Sequence, residues 1–146
     1  MRRRYLLALL VAALALPACG GGEDENPLRV YEGDYDLTEN FVEQSGTQCA
    51  APPDEPFANT VEVGVDGSEL VLRFGLRWGT LRGQVDAQGA MTASGQLGAS
   101  EALQWTGHLT TAAGPPAEQQ VSGQMRHVTP GCTRSFAVSG ARPVPE

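Results

Sequence analysis

Apolar and polar residues alternate with period two along most of the chain from Tyr31 onward, and glycine- and proline-rich breaks interrupt the alternation at short intervals. Tyr31, Gly33, Tyr35 and Leu37 share one face, opposite Glu32, Asp34 and Asp36. Val61, Val63 and Val65 follow, then Leu70, Leu72, Phe74, Leu76 and Trp78 opposite Val71, Arg73 and Arg77. The later runs are Leu81, Gly83 and Val85; Met91, Ala93, Gly95 and Leu97; and Leu103, Trp105, Gly107 and Leu109. Val121, Gly123 and Met125, then Phe136, Val138 and Gly140, complete the series. Asp66-Gly67 signals a hairpin turn and Gly79-Thr80 fits a two-residue turn of the Gly-X type, and "DAQG", "LGAS", "AAGPP" and "TPG" supply the other breaks. The pattern predicts about eight strands in succession with no helix between them. The stretch "TENFVEQSG" after Leu37 fits either a continued strand or a single helical turn.

Glycine recurs within these strands on the apolar face, at Gly33, Gly83, Gly95, Gly107 and Gly123, with Gly140 a variant. A mid-strand glycine costs about 0.5 to 1 kcal/mol relative to alanine, so the repetition needs a cause. Closing a small sheet on itself requires sharp bending and close backbone approach, both of which glycine permits. The predicted fold is therefore all-β, an antiparallel meander of about eight strands closing into a small barrel. A β-sandwich is the alternative. The serial-hairpin plan resembles the lipocalin-like and avidin-like barrels.

The first residues follow a different pattern. Arg2, Arg3 and Arg4 precede an apolar run from Tyr5 to Leu16. That run of about 12 residues is long enough for a secretory signal and short of the roughly 20 that span a bilayer. Leu16-Pro17-Ala18-Cys19 resembles the lipobox of bacterial lipoproteins, with proline in place of the usual small residue at its second position. The resemblance implies removal of residues 1–18 and lipidation of Cys19, leaving 19–28 as a lipidated, acidic, glycine-rich tether. The barrel domain then spans 29–142, and 143–146 form a tail. Gly20 is not the aspartate that marks inner-membrane retention in enteric-type lipoproteins. The expected location is the cell envelope, at the outer membrane if the organism is Gram-negative.

The cysteine count fits this assignment. With Cys19 carrying lipid, Cys49 and Cys132 remain of the three cysteines, and they can pair in an oxidising compartment. In a closed meander the end of the first strand lies beside the start of the last, so this bridge would fasten the barrel's seam.

Composition narrows the partners. The chain has ten arginines, no lysine, and 17 Asp and Glu, for a net charge of −7. Loss of the three signal arginines brings it to −10. Such a surface argues against nucleic acid and against a basic membrane-binding patch. The expected contacts are a membrane, through the lipid, and either a small apolar ligand or a protein partner.

Catalytic signatures are missing: there is no G-x-S-x-G, P-loop, HExxH or CxxC. His108 falls on a polar face and His127 at a strand end, and their spacing does not make a metal site. No catalytic residue, metal or cofactor is expected beyond the covalent lipid on Cys19. The aromatics carry the better hint. Tyr35, Phe74, Trp78, Trp105 and Phe136 all fall on the inner face, where they either fill the core or line a cavity for an apolar ligand. Ser94-Gly95 and Trp105-Thr106-Gly107 are similar to stretches of membrane-bound lysozyme inhibitors, although the lysine of that pattern is absent here. The expected function is a lipid-anchored, non-catalytic binding or structural module. The alternatives are a carrier of a small apolar ligand and an inhibitor of a lysozyme-type hydrolase, with "LGASEA" (97–102) as the inserting loop.

Overall fold

Alternation puts one apolar face on each strand, and a sheet with a single apolar face buries it best by curling around it. The computed structural model describes residues 26–75, 77–112 and 118–143. The signal segment, Cys19, most of the tether, Leu76, residues 113–117 (which cover most of the "AAGPP" break) and residues 144–146 lie outside the described residues. A 3-10 helix at Pro27–Tyr31 leads into β1 (Gly33–Ser45), β2 (Phe57–Asp66), β3 (Glu69–Phe74) and β4 (Gly79–Val85). β5 (Ala90–Gln96), β6 (Ala102–Ala112), β7 (Glu118–Thr129) and β8 (Cys132–Pro143) complete the chain. Each strand pairs with its predecessor and β1 pairs with β8, so the sheet is a closed eight-stranded barrel. The seam runs in antiparallel register from Asp36 opposite Ala141 to Ser45 opposite Thr133. A closed barrel rules out the sandwich.

Two local expectations need correction, and one open alternative is resolved. Tyr31 belongs to the 3-10 helix, not to the first strand. The undecided "TENFVEQSG" stretch continues β1, with a bulge between Phe41 and Glu43 that shifts its register against β8. The third hairpin turns at 75–78, before Gly79-Thr80, and Gly79 opens β4 opposite Phe74. Gly79 takes a left-handed φ of +64°, which closes a four-residue loop and leaves Trp78 inside that loop, not in a strand.

The bridge between Cys49 and Cys132 forms, with an S–S length of 2.02 Å and Cα atoms 5.0 Å apart. It ties the loop at 46–56 to the first residue of β8, beside the seam. A cross-link spanning 83 residues removes loop entropy from the unfolded chain corresponding to about 4.5 kcal/mol in the chain-entropy picture.

The opposite end of the barrel is closed by the 3-10 helix. Asn26 caps it, its side chain accepting from Leu28 N–H at 3.1 Å and donating to the Gly67 carbonyl at 2.6 Å. Arg142, at the end of β8, donates from Nη2 to the Val30 carbonyl at 2.9 Å, and its guanidinium lies 5.6 Å from the Tyr35 ring centroid. The Tyr35 hydroxyl donates to the Tyr31 carbonyl at 3.0 Å. Gly33 makes this packing feasible: a Cβ there would lie 2.8 Å from Arg142 Cδ, and its φ of +134° is one that side chains rarely adopt.

Two outcomes follow from this lid. Gly33→Ala should lower stability by about 2 kcal/mol in chemical denaturation, through steric overlap and backbone strain together. Burial pushes the Tyr35 phenol above its ordinary value, while the hydrogen bond and charge of Arg142 oppose the shift. The folded chain therefore holds that proton more tightly than the unfolded chain does. The contribution of Tyr35 to stability is intact below about pH 10 and is lost as pH rises from there through the higher folded value. Tyr35→Phe should flatten this alkaline limb in denaturation series run from pH 8 to pH 11.

Candidate functional site: the polar cap at the disulfide end

Four loops meet at the disulfide end: 46–56, 75–78, 97–101 and the β7–β8 turn at 130–131. Glu39 follows Tyr35 and Leu37 in parity along β1, so β1 points its carboxylate inward, and it is completely buried. A bare carboxylate there would cost several kcal/mol, so partners must hold it. Trp78 donates its indole N–H to both carboxylate oxygens at 3.0 Å, and Asn59 Nδ2 donates to Oε1 at 3.0 Å. The Arg77 guanidinium stands 3.8 Å away, an ion-pair distance beyond hydrogen-bond reach. Arg77 also lies over the Phe57 ring, 3.6 Å from its centroid, and 4.6 Å from the Trp78 ring. Burial pushes this guanidinium below its ordinary range and the Glu39 carboxylate opposes the shift. A cation stacked on aromatic rings thus covers a buried anion.

A second polar layer lies beside it. The Trp78 ring meets His127 edge-on at 4.9 Å and Phe136 at 6.0 Å. His127 Nε2 approaches Glu101 Oε2 to 3.4 Å, an ion pair whenever the imidazole is protonated, although the angles do not make a hydrogen bond. His127 and Arg134 are cross-strand partners in the β7–β8 hairpin. Arg134 Nη2 and Gln44 Nε2 both donate to the Ala50 carbonyl, at 3.0 and 3.2 Å, and Gln48 N–H donates to the Gly131 carbonyl. These bonds and the disulfide brace the loop at 46–56. They border a hollow of about 160 Å³ lined by Gln48, Ala50, His127, Thr129, Cys132 and Arg134. Thr129, the one hydroxyl in that lining, is held by the Cys132 carbonyl at 3.1 Å.

The five aromatic residues expected around a cavity are all buried, but they occupy different levels of the barrel. Trp78 and Phe136 lie at the cap, Phe74 packs against Trp105 at 5.7 Å, and Tyr35 lies under the lid. The inner space bounded by Tyr35, Val61, Val63, Leu72, Met91, Trp105, Leu109 and Val121 is about 10 Å³, roughly enough for one water. The room left by the inner-face glycines is already occupied. A Cβ at Gly123 would lie 2.8 Å from Trp105 Nε1, one at Gly95 2.8 Å from Leu81 Cδ2, and one at Gly140 2.6 Å from Leu37 Cδ2. At these three positions a large side chain takes the space, whereas at Gly83 and Gly107 the neighbouring strand itself lies close, Thr92 and Ala93 against Gly83 and Ser122 and Gly123 against Gly107.

His108 is exposed on the outer wall, opposite Ser122, and takes no part in the cap. Sequence reasoning missed Glu39 and Asn59, and with them Arg142 at the lid. The parity of Tyr35 and Leu37 extends to Glu39, and that of Phe136 and Val138 extends to Arg142, so the signal was present in the alternation. Among the described residues no group of three or more His, Cys, Asp or Glu side chains could hold a metal ion.

The two tryptophans are expected to respond differently to loss of the indole nitrogen. Trp78→Phe leaves Glu39 short of its main donor and should cost about 3 kcal/mol. Trp105→Phe breaks no hydrogen bond, because its buried N–H has no partner, and should cost only about 1 kcal/mol through lost volume. Thermal or urea denaturation of the two variants checks this.

Compared with protein-family models, with curated proteins and with solved structures, the chain finds no match.

Proposed function

We propose that the protein is a lipid-anchored lipoprotein of the bacterial cell envelope, and that its barrel is a non-catalytic binding module acting through its outer surfaces. The filled interior carries this reading. About 10 Å³ of inner space compares with the 300 to 1,000 Å³ of pockets that enclose small-molecule ligands. An arginine over an aromatic ring closes each end, Arg142 over Tyr35 and Arg77 over Phe57. The structure thus favours a rigid platform over a carrier. The His127–Glu101 contact could orient a catalytic histidine, but the neighbouring Thr129 hydroxyl is engaged by backbone and offers no free nucleophile. Lipid on Cys19, followed by Gly20, would place the platform at the outer membrane of a Gram-negative cell.

Inhibition of a lysozyme-type hydrolase is the second reading, and the loop at 97–101 favours it. Gly98, Ala99 and Ser100 are exposed, while Leu97 N–H donates to the Glu101 carbonyl at 2.9 Å and Glu101 meets His127. A short protruding loop with a braced base suits insertion into a cleft. An acidic protein would also be steered towards a basic enzyme.

Metabolic labelling with a fatty acid tests the anchor: the wild-type chain should incorporate label into the membrane fraction, and Cys19→Ser should not. Titration with fatty acids tests the platform. The tryptophan emission should stay flat across the series, and a saturable change lost in Trp105→Ala would replace the module with a carrier. Unchanged lysozyme activity in the presence of the protein would remove the inhibitor reading alone.

A further inference from the structure

The inward parity of the last two strands continues past the core. His127 and Thr129 follow Val121 and Met125 on β7, and Cys132 and Arg134 precede Phe136 and Val138 on β8, so these four positions turn towards the barrel's mouth at the disulfide end. With Gln48 and Ala50 they line the hollow of about 160 Å³. The lining contains no carboxylate, and its ionisable side chains are Arg134 and His127. The hollow has room for several waters but is smaller than pockets that enclose a whole drug-sized ligand. That size suits one charged group on a short carbon stem.

The chain carries a net charge of −7, so carboxylates are in excess. Arg73 pairs with Glu62, Arg77 faces Glu39, and Arg82 meets Asp66 and Glu69. Arg29 and Arg126 have no carboxylate partner among the described residues, but both are exposed to water. Arg134 also has none among the described residues, yet it is half-buried. Its Nη2 donates to the Ala50 carbonyl, and its Nε–H is buried without a partner. A partly desolvated guanidinium with no counter-charge is unfavourable, and here it borders a hollow. His127, its cross-strand neighbour, has Nε2 3.4 Å from Glu101, which offsets the imidazole's charge when it is protonated. The uncompensated positive charge at the hollow is therefore that of Arg134. Gln44, opposite Arg134 across the seam, leaves its Oε1 unpartnered but does not line the hollow.

The surroundings are held in place. The disulfide and the two bonds to the Ala50 carbonyl fix the loop at 46–56. Gly131, with a left-handed φ of +75°, passes so close beneath Gln48 that a Cβ would lie 2.9 Å from its Cδ. We infer that this mouth binds a carboxylate group, of a small free acid or of a peptide C-terminus, with Arg134 as its counter-charge and the Gln48 amide as a second donor. A planar guanidinium matches a planar carboxylate, and a single cation matches a single negative charge. The inference gives the binding-module reading a site outside the filled interior, and it rests on that reading.

The test titrates sodium propionate into the isotopically labelled, disulfide-intact protein at constant ionic strength and follows amide chemical shifts. Saturable shifts are expected at 48–50, 127–129 and 132–134, with a dissociation constant of about 10 mM or tighter. Arg134→Gln should weaken binding about tenfold or more, and Arg126→Gln, the same charge change on the outer wall, should leave it unchanged. Gln48→Ala, at an exposed position, should weaken it about threefold and serves if Arg134→Gln does not fold. Propionamide should not bind. N-acetyl-alanyl-alanine binding as well as propionate, with its amide inert, assigns the site to a chain end; propionate binding alone assigns it to a free acid. Either result supports the inference. No saturation to about 100 mM overturns it, as do equal shifts with propionamide or sodium chloride, shifts elsewhere, or binding indifferent to Arg134→Gln and Gln48→Ala. Those failures leave the binding module standing, whereas saturable uptake of a fatty acid into the interior would overturn the module itself. A millimolar carboxylate site stays empty at the micromolar concentrations of a fatty-acid titration, so the flat tryptophan emission expected there is unaffected.

Discussion

Pairing of β1 with β8 is the constraint on which the rest of the structure depends. Once the sheet closes, every inward side chain shares one narrow interior, and volume must balance around the whole ring. The inner-face glycines are one half of that balance. Gly123, Gly95 and Gly140 leave space on one strand that Trp105, Leu81 and Leu37 take from another, and Gly83 and Gly107 let neighbouring strands approach closely, so the sharp bends of a small barrel and a dense core come from the same residues. A pattern that suggested a cavity, taken strand by strand, produces a filled interior when the strands are assembled. The disulfide secures the closure from outside, joining the loop after β1 to the first residue of β8.

Closure removes the sheet edges but leaves two ends, and the chain covers both by the same means. At one end Arg142 reaches across Tyr35 to the carbonyl of Val30, and at the other Arg77 lies over Phe57 and Trp78 above Glu39. A guanidinium suits the task because its flat face packs on a ring while its edge donates hydrogen bonds or faces an anion. The cap differs from the lid in burying a carboxylate. Such a group is a costly way to gain stability, and its value lies in fixing where the loop at 75–78 and Asn59 must sit. The exposed polar side chains of the cap loops are displayed on that fixed base.

Much of the fold was legible in the alternation. Period two identified the inner face of each strand, turn chemistry placed most of the hairpins, and the positions of Cys49 and Cys132 anticipated the seam. The errors were local and have physical causes. Tyr31 keeps the strand parity but falls in a 3-10 helix, where Pro27 at the first turn and the Asn26 cap set the backbone. Gly79-Thr80 resembled a turn because glycine precedes a polar residue, yet Gly79 supplies only the last, left-handed step of a longer loop. The cap was less legible. Glu39 and Arg142 lie in register with apolar neighbours, but charge alone argued for solvent, and parity cannot show whether a buried charge will find a partner.

By itself the sequence determined the all-β class, the meander, the inner face of each strand and the acidic character of the surface, because these depend on residue order and neighbours within a few positions. Tertiary structure alone decided what fills the space beside the inner-face glycines and which donors hold Glu39. Those outcomes depend on residues far apart in the chain. Glu39 meets Trp78 across 39 positions and Arg142 meets Val30 across 112. Closure of the ring brings such pairs together, and a local pattern records only that each residue points inward, not what it will meet there.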